Sequence, residues 1–455
     1  MVVIVTVPGV ANGRRALGRL EAALGVVGVL TLILTYVLIT GSNPFTGLAQ
    51  GFRDWLASGS SLSKPATAWA KRIDATPTGA ILAGATVVVT MRGTVEAYDA
   101  NRGDKLWSRD AEWGAVGGAD SDPVVLVGRG RGHGFEVVNP ADGEVRWSDG
   151  SAVGVWTYRD TILTLTCPSG AECTLVARAP ATGASRWTLR LPGSGATLGR
   201  ALSGANPELP AGRDRPAAPG DLPAVLGFAI DGRVQAVETA GGTLLRQVAP
   251  TDTTRVVVMG GRHLVIAAVP AGAGCRYSVE ARDPASGASA WRRDGYDLGT
   301  ASGVGCTPSH DPAGSDPVLA GIRGDNRAVY LSARTGQELY VAGPGEALLS
   351  TDGRYGIVRS ADRTQISGVD LQRGGILWSH AAGTHHAVAL TRWAVLITDS
   401  VGENGAGRLV ALEPGSGSTL ADVATHASVL SAGPTGLVLS EARTVGFLAY
   451  GSGVA

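Results

Sequence analysis

Side chains able to do chemistry are few in this sequence, and their spacing suits it poorly. The densest imidazole group is His380, His385 and His386, a His-x4-His-His arrangement across a predicted strand-to-loop junction. Such a group could hold a metal, but exposed loop histidines fit the same spacing. The four cysteines, Cys167, Cys173, Cys275 and Cys306, contain no C-x-x-C pair, which argues against zinc. No G-x-S-x-G elbow, P-loop or H-E-x-x-H motif occurs. Asp99 and Asp370 each stand four residues before a glycine, the place of a turn cap rather than of a general acid and base pair. The expectation is a protein with no catalytic residue, no cofactor and no metal ligand, and so not an enzyme.

The cysteines read instead as two structural disulfides formed in an oxidising compartment. Cys167 and Cys173 flank the loop Pro168 to Glu172 and would face each other across a hairpin, which leaves Cys275 with Cys306. Loop-closure entropy assigns about 2 kcal/mol to the first bridge and roughly 3 to 4 kcal/mol to the second.

Balanced charge, 39 basic against 39 acidic residues in 455, removes the electrostatic footprint expected of a nucleic-acid binder. Lysine occurs only at Lys64, Lys71 and Lys105, and the arginines are scattered rather than clustered. Glycine, at 66 residues against 23 prolines, indicates many turns in a folded chain.

Residues 22–40 run without a charge, long enough to cross a bilayer as a helix. Arg14, Arg15 and Arg19 precede this span, and the next basic residue is Arg53, so the positive-inside rule puts 1–21 in the cytoplasm and the remainder outside. Asn43-Pro44 and the spacing of Phe45, Leu48, Phe52 and Leu56 predict a short juxtamembrane helix within 41–64. The expected organisation is a cytoplasmic tail 1–21, a transmembrane helix 22–40, a juxtamembrane linker 41–64 and an extracytoplasmic domain 65–455 in the plasma membrane.

That domain repeats one phrase. It is clearest from Ala97 to Trp107 (AYDANRGDKLW) and recurs at Val137 to Trp147, Ala177 to Trp187, Ala281 to Trp291 and Gly368 to Trp378, with weaker copies at Ala236 to Arg246, Tyr330 to Tyr340 and Ala411 to Ala421. Its glycines are Gly103, Gly143, Gly183, Gly242, Gly287, Gly336, Gly374 and Gly417, a period near 45 residues, as in stacked supersecondary units. A polar residue four before the glycine opens the turn, and glycine supplies the positive φ. Trp107, Trp147, Trp187, Trp291 and Trp378 follow their glycines by four, and Trp69 falls in the same frame. One indole per unit, burying 150 to 250 Å² or so, would join each unit to its neighbour.

The A-x-D-x-x-x-G-x-x-x-W phrase resembles the tryptophan-docking motif of PQQ-like β-propellers, a family with quinoprotein alcohol dehydrogenases and an outer-membrane-assembly lipoprotein among its members. The resemblance covers roughly 65–450 and implies an all-β propeller of eight blades, with nine as the alternative. Residues 429–450 supply about two more strands, and 66–73 could pair with them to close the ring. Quinoprotein enzymes of the family carry adjacent cysteines beside their cofactor. None stand together here, so neither PQQ nor another cofactor is expected. The resemblance implies a binding or scaffold protein of the cell envelope, with envelope proteins or cell-wall components as partners. The alternative is a quinone-, sugar- or metal-binding sensor or enzyme using the central mouth. Residues 202–223, rich in Pro, Gly and Ala, form an insertion, and 307–317 is a second irregular stretch.

Overall fold

The computed structural model describes residues 67–129, 134–168, 172–193, 196–198, 219–272, 274–299, 301, 306–308, 310–383, 386–399 and 407–451, all within the unit Ser61–Ala455. The predicted transmembrane segment 22–40 and the juxtamembrane helix in 41–64 lie outside these residues. Among the described residues no helix is long and apolar enough to cross a membrane.

Nine antiparallel sheets follow one another around a ring. Eight are consecutive in sequence, spanning 77–110, 113–149, 154–191, 197–248, 254–294, 296–341, 347–381 and 386–424. The ninth combines the last three strands, Ser428–Ala432, Gly436–Glu441 and Thr444–Ala449, with the first, Trp69–Arg72. Trp69 pairs with Phe447 and Arg72 with Thr444, so the two ends of the described chain close the ring within one sheet. The fold is a nine-bladed propeller, the alternative count rather than the eight taken from family likeness. Counting glycine turns gives eight because the ninth blade has no continuous turn between its third and fourth strands.

Apolar cores lie between blades, each joining a sheet to its neighbour. One core unites Ala389, Leu396 and Leu409 of blade 8 with Val429, Leu437 and Leu448 of blade 9, and another joins Val438 and Phe447 of blade 9 to Val87 and Val89 of blade 1. Equivalent cores join blade 1 to 2, 2 to 3, 3 to 4, 5 to 6, 6 to 7 and 7 to 8. Between blades 4 and 5 a Cβ on Gly227 would meet Val258 at 2.8 Å. A second strand such as Thr86–Met91 (TVVVTM) is buried throughout because a neighbouring blade covers each face, whereas the outermost Ser185–Leu191 alternates towards solvent.

Each docking turn is built alike. In seven copies, at Gly103, Gly143, Gly183, Gly287, Gly336, Gly374 and Gly417, the glycine N–H donates to the carbonyl four residues earlier. All eight glycines hold φ between +69° and +77°, where a side chain would be strained. The opening acids cap the turn: Asp99 accepts from the N–H groups of Asn101 and Arg102, Asp283 from Ala285 and Ser286, and Asp370 from Gln372 and Arg373. Those backbone donors come first in holding the carboxyls of Asp99, Asp283 and Asp370 below their usual range.

Every frame tryptophan lies on the docking glycine of the following blade. Its indole Nε1 donates to the carbonyl three residues before that glycine. Trp69 reaches Ala100 at 2.7 Å, and Trp107, Trp147, Trp187 and Trp378 reach Pro140, Pro180, Thr239 and Pro414 at 2.8 Å. Trp291 reaches Ala333 at 3.2 Å. A Cβ on the six glycines beneath would stand 2.5 to 2.8 Å from the ring, so glycine is needed for the close approach as well as for the turn. Two further glycines receive other partners. Gly287 lies under the Arg246 side chain, and Gly374 faces the carbonyl of Leu339. The same position of blade 8 is Ala421, fully buried, and the blade it faces is the one whose third and fourth strands are not joined by a turn.

Candidate functional site

Strands alternate in direction, so the turn between a blade's first and second strands emerges on the same face as its docking turn. The turn between second and third strands emerges on the opposite face. First strands are innermost: those of blades 1 and 2, 2 and 3, 7 and 8, and 9 and 1 touch one another. Their outgoing turns therefore ring one mouth of the central channel. This docking-face mouth is the candidate site, since a propeller offers converging loops there on a rigid frame.

Several charged groups gather at this mouth. Asp120 in the blade 2 turn accepts from Arg159 Nη2 of the blade 3 turn at 3.3 Å, and Arg159 Nη1 also reaches Asp221 at 3.3 Å. Arg392 of the blade 8 turn stands 3.7 Å from the same Asp120 oxygen. In blade 6 the Asp316 carboxylate accepts the Gly260 N–H of blade 5, and the backbone crowds the next blade, where a Cβ on Gly353 would meet the Asp316 carbonyl at 2.8 Å. Asp352 of blade 7 caps its own turn through the N–H groups of Arg354 and Tyr355. Burial pushes both the Asp316 and the Asp352 carboxyls up. These groups pair with each other or with backbone, and among the described residues no three potential ligands converge as a metal would require.

Of the predicted insertion 202–223 only 219–223 is described, leading into the second strand of blade 4 at this mouth. There Gly220 bridges Tyr158, the Arg159 N–H donates to the Gly220 carbonyl at 2.9 Å, and Leu222 packs on the blade 3 and 4 core.

Both disulfides lie on the opposite face. Cys167 and Cys173 close the turn between the second and third strands of blade 3, with a Cα separation of 4.2 Å. Cys275, at the tip of the long blade 5 hairpin, is bonded to Cys306. Cys306 belongs to an excursion from the innermost strand of blade 6. Asp297 pairs with Ile322 and Ala313 with Ala320, so the chain leaves and re-enters the sheet at neighbouring positions. Asp311 ties the excursion to Arg255 on the first strand of blade 5, with Nε to Oδ1 at 2.7 Å. A cavity of about 400 Å³ also opens on this face between blades 1 and 2, where Arg109, Arg129, Phe135, Glu136 and Ser148 form part of its wall. Arg109 Nη1 is bonded to Glu136 at 2.8 Å.

Of the three grouped histidines, only His380 has its side chain among the described residues. His380 lies on the outermost strand of blade 7, its pKa lowered by burial and then by nearby Arg408, which is itself paired with Asp422 at 2.8 and 2.5 Å. His385 lies outside the described residues, and His386 starts the next blade, paired in register with Asp399. His380 follows Trp378 by two, a position whose meaning sequence reasoning missed. Lys71, two after Trp69, donates to the Gly103 carbonyl at 3.3 Å. Arg109, two after Trp107, reaches the Gly143 carbonyl at 2.5 Å, and Arg293, two after Trp291, reaches that of Gly336 at 3.0 Å. The recurring W-x-K/R was the available signal. Where Asp149 takes this place, Arg178 donates to the Gly183 carbonyl at 3.1 Å and pairs with Asp149 at 3.1 Å.

Sequence comparison matches residues 276–432 to the family described as outer membrane protein assembly factor BamB. No curated protein matches the chain. Among solved structures it is similar to BamB from Moraxella catarrhalis, at 17% identity over 73% of this chain and 96% of that one, with a TM-score of 0.35. It is also similar to the computationally designed Ika8 protein, at 16% identity over 76% and 96% with a TM-score of 0.36. The quinohemoprotein alcohol dehydrogenase from Comamonas testosteroni gives 12% identity over 86% and 77%, with a TM-score of 0.39.

Proposed function

We propose that this chain is a non-enzymatic binding and scaffold propeller of the cell envelope, held on the outer face of the plasma membrane by residues 22–40 with its N-terminus in the cytoplasm. The observation that carries this reading is the match of 276–432 to an outer-membrane-protein assembly factor family. Paired cysteines agree with an oxidising compartment, and Arg14, Arg15 and Arg19 before the apolar span agree with the orientation. Partners are envelope proteins or cell-wall components, received on turns that a stiff ring holds in place.

Crosslinking and pull-down of the native membrane protein tests the reading. A stoichiometric envelope partner is expected, and none across repeated conditions would favour a small-molecule sensor. A reporter fused after Ala455 that works only outside the cytoplasm should be active. Freshly isolated protein should show no quinone absorbance, and adding PQQ with calcium should give no dye-linked dehydrogenase turnover. Turnover would replace the scaffold reading with the enzyme one.

A further inference from the structure

Blades 2 and 8 are not neighbours in the ring, because blades 9 and 1 stand between them, yet their side chains meet. Arg392 Nη2 lies 3.7 Å from Asp120 Oδ2, and Arg159 of blade 3 approaches the same oxygen at 3.3 Å. The two turns passed over are Ala83-Gly84-Ala85-Thr86 in blade 1 and Ala432-Gly433-Pro434-Thr435-Gly436 in blade 9, which place no long side chain in the way. First-strand turns ring the channel, so a contact from blade 2 to blade 8 runs along a chord of its mouth. Both arginines are held for the purpose. The Arg392 guanidinium lies over the Trp393 ring, 4.7 Å from its centroid, and the Arg159 backbone is bonded to Gly220 at the end of the blade 4 insertion.

We propose that Arg392, Asp120 and Arg159 form an ion-pair latch across the docking-face mouth of the channel. Asp120 is the shared bolt, and losing its charge frees Arg392 and leaves Arg159 only its contact with Asp221. The three side chains are 29% to 46% exposed, so water and dissolved ions compete for each contact. The latch is therefore weak enough to open as a local fluctuation, and ionic strength sets how often it does. Opening admits solute to the channel from the docking face without unfolding a blade.

Amide hydrogen exchange on the purified full-length chain tests this, since exchange reports local opening. Arg392→Ala should speed exchange in the distant blade 2 turn, at 119–122 and at Gly118, whose N–H is bonded to the Tyr158 carbonyl. About tenfold is expected there, as well as in the mutated turn. Asp120→Asn should speed exchange at Thr391 and Ala394 in return, and Arg392→Lys should retain most of the protection. Wild-type protein in roughly 0.5 M salt should approach the Arg392→Ala pattern, because screening at that strength reaches half-exposed pairs. Acceleration confined to the mutated turn, or wild-type exchange at the mouth that ignores salt, would overturn the latch. The salt arm needs no variant, so it decides even if a substitution disturbs folding.

Discussion

A docking indole does three things at once: it fills the gap between blades, covers a glycine that has no room for a side chain, and donates to a carbonyl of the next turn. Trp107 is only 8% exposed and makes all three contacts. Trp107→Ala should cost about 3 to 5 kcal/mol by cavity formation and loss of its bond. Trp113 is half-buried on a first strand, beside Gly128 and Phe135, and its loss should cost less. Chemical denaturation of the two variants makes the comparison, and equal losses would contradict the special place of the frame position. His263 yields a different prediction. It is fully buried beside Arg282, and desolvation lowers its pKa to about 4. A base whose folded pKa lies below its unfolded value, near 6.5, contributes its full stability above 6.5 and loses it as pH falls towards 4. Wild-type stability should therefore drop between pH 6.5 and 4 by up to about 3 kcal/mol more than that of His263→Leu. Parallel pH profiles of the two melting points would refute it. The docking tryptophans and glycines were legible because each repeats in a fixed frame. The cations two residues beyond were overlooked because they alternate among Lys71, Arg109 and Arg293 and lapse where Asp149 and Leu189 stand.

At the scale of the blade, the repeat is imperfect at informative places. Blade 4 offers the Arg246 side chain to Gly287 where six blades offer tryptophan, and the Arg246 backbone N–H is bonded to the Pro284 carbonyl at 2.8 Å. Pro284 is the counterpart of Pro140, Pro180 and Pro414, each of which accepts an indole. Arg246→Trp should therefore stabilise the protein by about 0.5 to 2 kcal/mol, as substitutions towards a consensus commonly do. A lower calorimetric melting temperature would show that the blade 4 to 5 junction has a different shape. Blade 6 departs in another way, splitting its innermost strand to release the excursion that Cys306 ties to blade 5. The sequence marked 307–317 as irregular. It could not place that stretch within a strand, because Asp297 and Ala313 meet the same neighbouring strand although fifteen residues separate them.

Across the whole ring, closure depends on the short strand Trp69–Arg72 at the edge of blade 9. Four ladder pairs and the Trp69 indole, docked on blade 1, hold it there. Removing residues 67–73 should leave an open sheet edge and an uncovered core at Val445 and Phe447, turning monomer into aggregate on size exclusion. A synthetic 66–73 peptide added during refolding should restore the monomer by strand addition, and recovery without peptide would show that closure lies elsewhere. The pairing of residues 66–73 with the last strands was readable in advance. The count of nine was harder, since the split blade carries no glycine turn to count. The long reach of Arg392 to Asp120 left no trace in sequence, because it depends on small turns in two intervening blades. The same closure also sets an order of events during synthesis. Trp69 is made before the eight consecutive blades and Phe447 after them, so the first strand must wait unpaired for nearly the entire domain. Blades 1 to 8 can assemble as they appear, each resting on the one before. The final seal is a long-range event and correspondingly slow. A ribosome stalled late in blade 9 would hold a nearly finished propeller with its seam open, the moment at which a chaperone has most to protect and a protease most to gain.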